Sequence, residues 1–108
     1  MNRTPLHTAL SLSLALFSTS SFAHFGLMEC WFEQDRSEVH CKTGWTDGGH
    51  ASNYDIKLFD YDDNLLAIER TDAQSRVQFP TPAGDFYLVF DPGHESPVEV
   101  DVVEMKDR

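Results

Sequence analysis

The sequence is short of basic residues, of cysteine and of long apolar runs. Of its 108 residues only 8 are Lys or Arg, against 18 Asp or Glu, and the formal net charge is −10. This acidity argues against nucleic acid or anionic lipid as the main partner, because both would be repelled. No run approaches the roughly 18 apolar residues that span a bilayer, and no P-loop, dinucleotide-binding or H-E-x-x-H motif is present. With 41% hydrophobic and 12% aromatic residues, the composition is that of one small folded domain.

The first 23 residues have the three regions of a secretory signal peptide. A basic start at Arg3 is followed by the apolar run 9–17 and by the small-residue cleavage site 21–23. Cleavage after Ala23 removes one of the 8 basic residues, so that 7 basic and 18 acidic residues remain with a formal charge of −11. We therefore predict a signal peptide over residues 1–23, one domain over residues 24–108, and a periplasmic location.

The two cysteines fit opposite positions of a predicted β-hairpin. If residues 27–34 and 37–43 pair around a turn at 35–36, Cys30 directly faces Cys41. Opposed residues of an antiparallel pair lie close enough for a disulfide, and export to an oxidising compartment favours its formation. The sequence predicts a Cys30–Cys41 disulfide. A redox-active or metal-binding thiol pair is the alternative, and the lack of a C-x-x-C motif disfavours it.

The rest of the chain after the predicted cleavage site alternates apolar and polar side chains over short runs. Such runs occupy residues 54–59, 76–80, 86–90 and 98–102, with turn-forming residues between them. A period of two over short segments is typical of β-strands with one buried face. We predict an all-β fold, a single small antiparallel β-sandwich of about seven strands.

Three histidines are candidate ligands for a metal ion. Cleavage after Ala23 makes His24 the first residue, and its α-amine and ring Nδ1 together can chelate a divalent ion. His50 and His94 follow glycines in predicted loops, where side chains are often presented on a rigid scaffold. Each could equally be a solvated loop residue, and His40, inside a predicted strand, is interpreted as a surface or packing residue. The carboxylates that flank these loops are expected to orient the imidazole N–H groups: Asp47, Asp91 and Glu95.

Three short motifs carry a resemblance to a known family. They are Ala23-His24 at the cleavage site, Gly48-Gly49 after the second strand and Gly93-His94 after the penultimate strand. Residues 44–102 resemble the transthyretin-like, carboxypeptidase-regulatory type of β-sandwich. More closely, the chain is similar to small periplasmic accessory proteins of nickel/cobalt uptake transporters. The resemblance implies a metal-binding or transport-accessory role carried on His24 and His94, with nickel or cobalt as the ion.

These observations predict a periplasmic divalent metal-binding protein that acts as an accessory or chaperone to a membrane transporter and is not an enzyme. Copper joins nickel and cobalt as a candidate, because it outcompetes both at nitrogen donors unless geometry forbids it. The alternative is a metal-free cell-envelope β-sandwich module that contacts a protein or glycan through Trp31 and Trp45. An oxidative copper enzyme with an N-terminal histidine brace is a third interpretation, for which so short a chain leaves little substrate surface.

Overall fold

Over residues 24–108, the part of the chain that this computed structural model describes, the polypeptide forms eight β-strands and a 3₁₀ turn at Val102–Glu104. The predicted signal peptide, residues 1–23, lies outside the described residues. Among residues 24–108 no helix is long and apolar enough to cross a bilayer. The strands are β1 (Gly26–Glu33), β2 (Glu38–Trp45), β3 (Asp55–Asp60), β4 (Leu65–Arg70), β5 (Arg76–Pro80), β6 (Phe86–Phe90), β7 (Val98–Asp101) and β8 (Lys106–Asp107).

The strands form two four-stranded sheets, which confirms the predicted all-β sandwich. Sheet A has the order β5-β2-β1-β8 and sheet B the order β4-β3-β6-β7. All pairings are antiparallel except that of β8, which runs parallel to β1 beside Trp31 and Phe32. This strand explains why the described residues contain eight strands rather than about seven. Its two residues are too few to show an alternating pattern.

The β1–β2 hairpin has the register that the sequence predicts. Cys30 lies opposite Cys41, their Cα atoms are 4.0 Å apart, and the two form a disulfide. At the turn, Asp35 and Arg36 have positive φ values of 55° and 67°, which match the right-handed twist of the flanking strands. Because the strands alternate faces, both sulfur atoms point inward, and both cysteines are buried.

The core lies between the two sheets and follows the alternating pattern. In β6, Phe86, Leu88 and Phe90 are buried, whereas the intervening residues are half-buried on the outer face. From sheet A, Phe32 meets Phe86 edge to face, with ring centroids 6.3 Å apart. At the opposite end of the sandwich, Trp45 packs against Phe90 at 5.5 Å. That contact brings the end of β2 to the loop between β6 and β7.

Candidate metal centre

The indole of Trp45 forms the floor of the candidate site. Trp45 is the last residue of β2, and its side chain points into the core, where it is 8% exposed. Its ring packs on Tyr54 at 5.6 Å and on Phe90 at 5.5 Å. Its Nε1–H donates to the His50 carbonyl at 3.2 Å. Packing and this hydrogen bond together fix the orientation of the indole.

His24 lies flat on this floor. Its imidazole stacks on Trp45 with centroids 4.7 Å apart and planes 21° apart. The backbone beside it is tied to the end of β2, because the Phe25 N–H donates to Thr46 Oγ1 at 3.1 Å and the Thr46 N–H donates to the Phe25 carbonyl at 3.0 Å. The ring is therefore positioned by the hairpin, although its side chain remains 41% exposed.

Two carboxylates face the two ring nitrogens of His24. The distance from Nε2 to Asp47 Oδ2 is 3.4 Å, and that from Nδ1 to Glu95 Oε2 is 3.7 Å. Asp47 also accepts from the Gly49 N–H at 2.9 Å, which holds its loop in place. Asp47 thus lies beside Nε2, where a carboxylate that orients the imidazole is expected. Glu95 instead faces the nitrogen that would chelate an ion, so it lies where a ligand would be.

His94 approaches the same floor from the β6–β7 loop. Its ring centroid is 5.6 Å from that of Trp45. Its Nδ1 is 3.3 Å from the Pro92 carbonyl, and a hydrogen bond there places the proton on Nδ1 and leaves the lone pair of Nε2 available to an ion. The loop turns at Gly93, whose φ of +92° favours glycine. Asp91 accepts from the Gly93 N–H at 3.0 Å, so it supports the loop rather than the ring.

Side-chain donors from His24, His94 and Glu95 converge to within 4.8 Å of one another. Donors on one ion at bond lengths of about 2.0–2.1 Å lie roughly 3–4 Å apart. Small side-chain rotations would therefore bring all three onto one ion. Two imidazole nitrogens and a carboxylate oxygen suit divalent first-row transition metals better than the soft ion Cu(I).

His50 is not part of this group of donors. Its Nδ1 lies 3.2 Å from the Ala73 carbonyl. The loop before it is folded back on β2, since the Gly48 N–H donates to the Trp45 carbonyl at 2.8 Å. Residue 50 is thereby directed towards the loop that follows β4. His40 lies on the outer face of sheet A, stacked on Trp31 at 6.2 Å, which agrees with a packing role.

The expectation that Trp31 and Trp45 form an exposed aromatic contact surface is wrong. They are only 3% and 8% exposed. Trp31 does lie on the outer face of sheet A, but Arg108 covers its ring at 4.0 Å and Arg76 lies 5.8 Å from it. The indole N–H donates to Glu33 at 2.6 Å. Long cationic side chains thus bury an outward-facing aromatic residue.

Comparisons with protein-family models, with curated proteins and with solved structures give no significant match to this chain. The resemblance to nickel/cobalt transport accessory proteins therefore rests on the short motifs around His24, Gly48 and His94. From the sequence, Glu95 was predicted only to orient an imidazole N–H, and Trp45 was not assigned to the site. The His94-Glu95 dipeptide was the available signal for Glu95 as a ligand, whereas nothing local marks Trp45 as the floor.

Proposed function

We propose that the protein is a periplasmic divalent metal-binding protein, for nickel, cobalt or copper, that serves as an accessory or chaperone to a membrane transporter rather than as an enzyme. The main support is the convergence of His24, His94 and Glu95 to within 4.8 Å above the ring of Trp45. The signal-peptide pattern of residues 1–23 supports the location, and the resemblance of three short motifs to those of transport accessory proteins supports the link to a transporter.

Processing after Ala23 would add a fourth donor. The α-amine of His24 and the ring Nδ1 of the same residue close one chelate ring on an ion. Nδ1 already faces Glu95 at 3.7 Å, so an ion held by the chelate is within reach of that carboxylate. The amine has an ordinary pKa of about 8, so metal binding near neutral pH displaces a proton from it. Export and metal binding are coupled in this proposal, because only the cleaved chain has the amine.

The setting suits transient binding. The His24 side chain is 41% exposed and His94 is exposed, so the site opens to solvent at the end of the sandwich. A transporter could replace these ligands one at a time without unfolding the protein. The formal charge of −11 on residues 24–108, from 7 basic and 18 acidic residues, raises the local concentration of cations.

The test is a calorimetric titration of the exported protein, with its N-terminus verified by mass spectrometry. Ni²⁺, Co²⁺ and Cu²⁺ are each titrated into the native protein and into a variant with one alanine inserted before His24. We expect one equivalent of ion for the native protein and an affinity lower by about tenfold or more for the extended one. His94→Ala and Glu95→Gln should also weaken binding, whereas His40→Ala, on the outer face of sheet A, is the matched control.

Equal titration curves for the native and extended N-termini would contradict the role of the His24 amine. Unchanged binding in both His94→Ala and Glu95→Gln, with folding verified by circular dichroism, would place the ion elsewhere. The transport role is tested separately, by the nickel, cobalt and copper content of cells that lack the protein or carry only His94→Ala. If these cells accumulate metal as the wild type does in metal-poor medium, the protein is not a transport accessory.

A further inference from the structure

The outer face of sheet B carries an apolar strip. The strand register places Leu65, Phe59 and Tyr87 side by side across β4, β3 and β6. The rings of Phe59 and Tyr87 stack at 5.2 Å with planes 14° apart. In the next row of the same face, Ile68 and Val89 flank Lys57. We call the apolar members of these two rows the sheet B face: Phe59, Leu65, Ile68, Tyr87 and Val89.

This face is unusually open at β4, the edge strand of the sheet. Leu65, Leu66 and Ile68 are 49%, 47% and 45% exposed. Within β4 only Ala67 packs against the core. Exposed apolar side chains on an edge strand can contact other chains, and contiguous exposed apolar surface with a polar border is typical of interaction sites.

Most of the negative charge lies in the part of the chain that forms sheet B. Residues 55–70 and 85–101, which hold the strands of sheet B, contain 10 acidic and 2 basic residues. The remaining described residues contain 8 acidic and 5 basic residues. The sheet B part therefore has a formal charge of −8 and the rest −3. Two of these acids, Asp91 and Glu95, lie in the β6–β7 loop at the candidate metal centre, and without them the sheet B part still has a formal charge of −6.

Carboxylates border the strip at defined positions. In the register of β6 and β7, Asp101 lies beside Tyr87 and Glu99 beside Val89. Asp63, in the β3–β4 turn, accepts from the Tyr87 hydroxyl at 2.6 Å. These acids are held next to aromatic and aliphatic side chains, where an apolar contact and a charge contact can be made by one ligand.

We propose that the sheet B face docks a basic amphipathic segment of a partner protein. Apolar side chains of that segment cover Phe59, Leu65 and Ile68, while its Lys or Arg side chains meet the bordering carboxylates. A second copy of this chain would bring two acidic surfaces together, and an anionic bilayer would be repelled in the same way. The proposal does not rest on the metal site, which lies beyond Phe90 at the other end of β6.

The direct test uses amide NMR of the ¹⁵N-labelled exported protein with two synthetic peptides, one of alternating leucine and lysine and one of alternating leucine and glutamate. We expect the cationic peptide to shift amide signals of β3, β4 and β6 around the face, and the anionic peptide to leave them unchanged. High salt should weaken the cationic titration, because the charge contribution is screened.

Matched variants distinguish binding at the sheet B face from non-specific hydrophobic binding. Leu65→Ser combined with Ile68→Ser should abolish the shifts. Leu27→Ser removes an equally exposed apolar residue, 50% exposed on the other sheet, and should leave them intact. All variants are compared by circular dichroism first, and since these side chains are half exposed we expect them to fold.

Four results would overturn the proposal, three of them in vitro and one in cells. The first is equal shifts with the two peptides, and the second is shifts that map to sheet A. The third is concentration-dependent dimerisation through the sheet B face in analytical ultracentrifugation, which would make a second copy the occupant. In cells, Ile68→benzoylphenylalanine should photocrosslink to a peptide of net positive charge, and crosslinking only to acidic or neutral peptides would contradict the proposed partner chemistry.

Discussion

The imidazole of His24 stacks on the indole of Trp45, with ring centroids 4.7 Å apart. This contact follows from the hairpin register, in which Gly26 is paired with Trp45. Residue 24 therefore passes the end of β2 and places its ring over the last side chain of that strand. Through this stacking contact Trp45 supports His24, and the fluorescence of Trp45 is expected to respond to an ion bound at His24.

We expect Cu²⁺ bound at the candidate centre to quench the emission of Trp45 and not that of Trp31. The chain has 2 tryptophans, so Trp31→Phe isolates Trp45 and Trp45→Phe isolates Trp31. Quenching by a paramagnetic ion falls steeply with distance, and both His24 and His94 contact the Trp45 ring. A fluorescence titration of each variant measures the effect. Equal fractional quenching in the two variants would contradict the site.

Gly26→Ala should lower both the stability and the metal affinity. A Cβ at this position would lie 3.0 Å from Phe90 Cε2 and 3.5 Å from Val98 Cγ2. Phe90 is fully buried and has little room to shift, so β1 would move outward and take His24 with it. We expect a loss of about 1–3 kcal/mol in the free energy of unfolding, measured by urea denaturation.

The matched control for this substitution is Gly84→Ala. Nothing lies within 4 Å of a Cβ at Gly84, and its φ is not positive. Its stability and metal affinity should equal those of the wild type. If both alanine variants lose the same stability, the close approach of Gly26 to Phe90 is not the cause.

Replacing both cysteines by alanine should destabilise the sandwich by about 2–3 kcal/mol. The disulfide closes a loop with a sequence separation of 11 residues, and a crosslink of this length restricts the unfolded chain by about that amount. Urea denaturation of Cys30→Ala/Cys41→Ala against the oxidised wild type measures it. Reduced wild-type protein is the control for the lost side-chain volume, and it should lie close to the double variant if the crosslink is the main contribution.

Two tyrosines should titrate far above the usual range. A hydrogen bond to the Asp63 carboxylate, with desolvation, raises the pKa of Tyr87 to about 12. A hydrogen bond to Asp101 does the same for Tyr61, also to about 12. An absorbance titration at the phenolate band should show both groups ionising well above pH 10. Asp63→Asn should bring the Tyr87 transition down and leave that of Tyr61 in place.

The same shifts fix the sign of a stability change at high pH. Below the ordinary tyrosine pKa of 10.0 the phenols are protonated in both the folded and the unfolded chain, so their hydrogen bonds contribute fully. Between pH 10 and about 12 the unfolded chain loses these protons first, and stability falls as the pH rises. Stability in urea at pH 9 and pH 11 measures the effect, and an increase between them would contradict it.

Local pattern predicted the hairpin down to its residue pairs. Alternation on both sides of a short turn leaves one register that places Cys30 opposite Cys41, and a slip of one residue would move every side chain to the other face. The candidate site depends on how two loops and the chain start meet at one end of the sandwich. The sequence identified His24 and His94 as candidate ligands at this end. Whether His50 lies close enough to bind the same ion depends on the fold of the loop before it.

The alternation of apolar and polar residues did not predict the burial of Trp31 or the presence of β8. An outward position predicts exposure, yet Arg108 covers the Trp31 ring from 4.0 Å away. That arginine arrives there because β8 pairs with β1 and the Arg108 N–H donates to the Phe32 carbonyl at 3.0 Å. Neither contact has a signal in the neighbouring residues, since both join positions far apart in the chain.

The candidate ligands are divided between the two layers of the sandwich. His24 is held by the β1–β2 hairpin of sheet A, whereas His94 and Glu95 belong to the loop that joins two strands of sheet B. An ion at this position would form a reversible crosslink between the two sheets. Binding of the ion would raise the melting temperature as the ion concentration increases. The stability of this end of the protein would therefore differ between the metal-bound and the metal-free states.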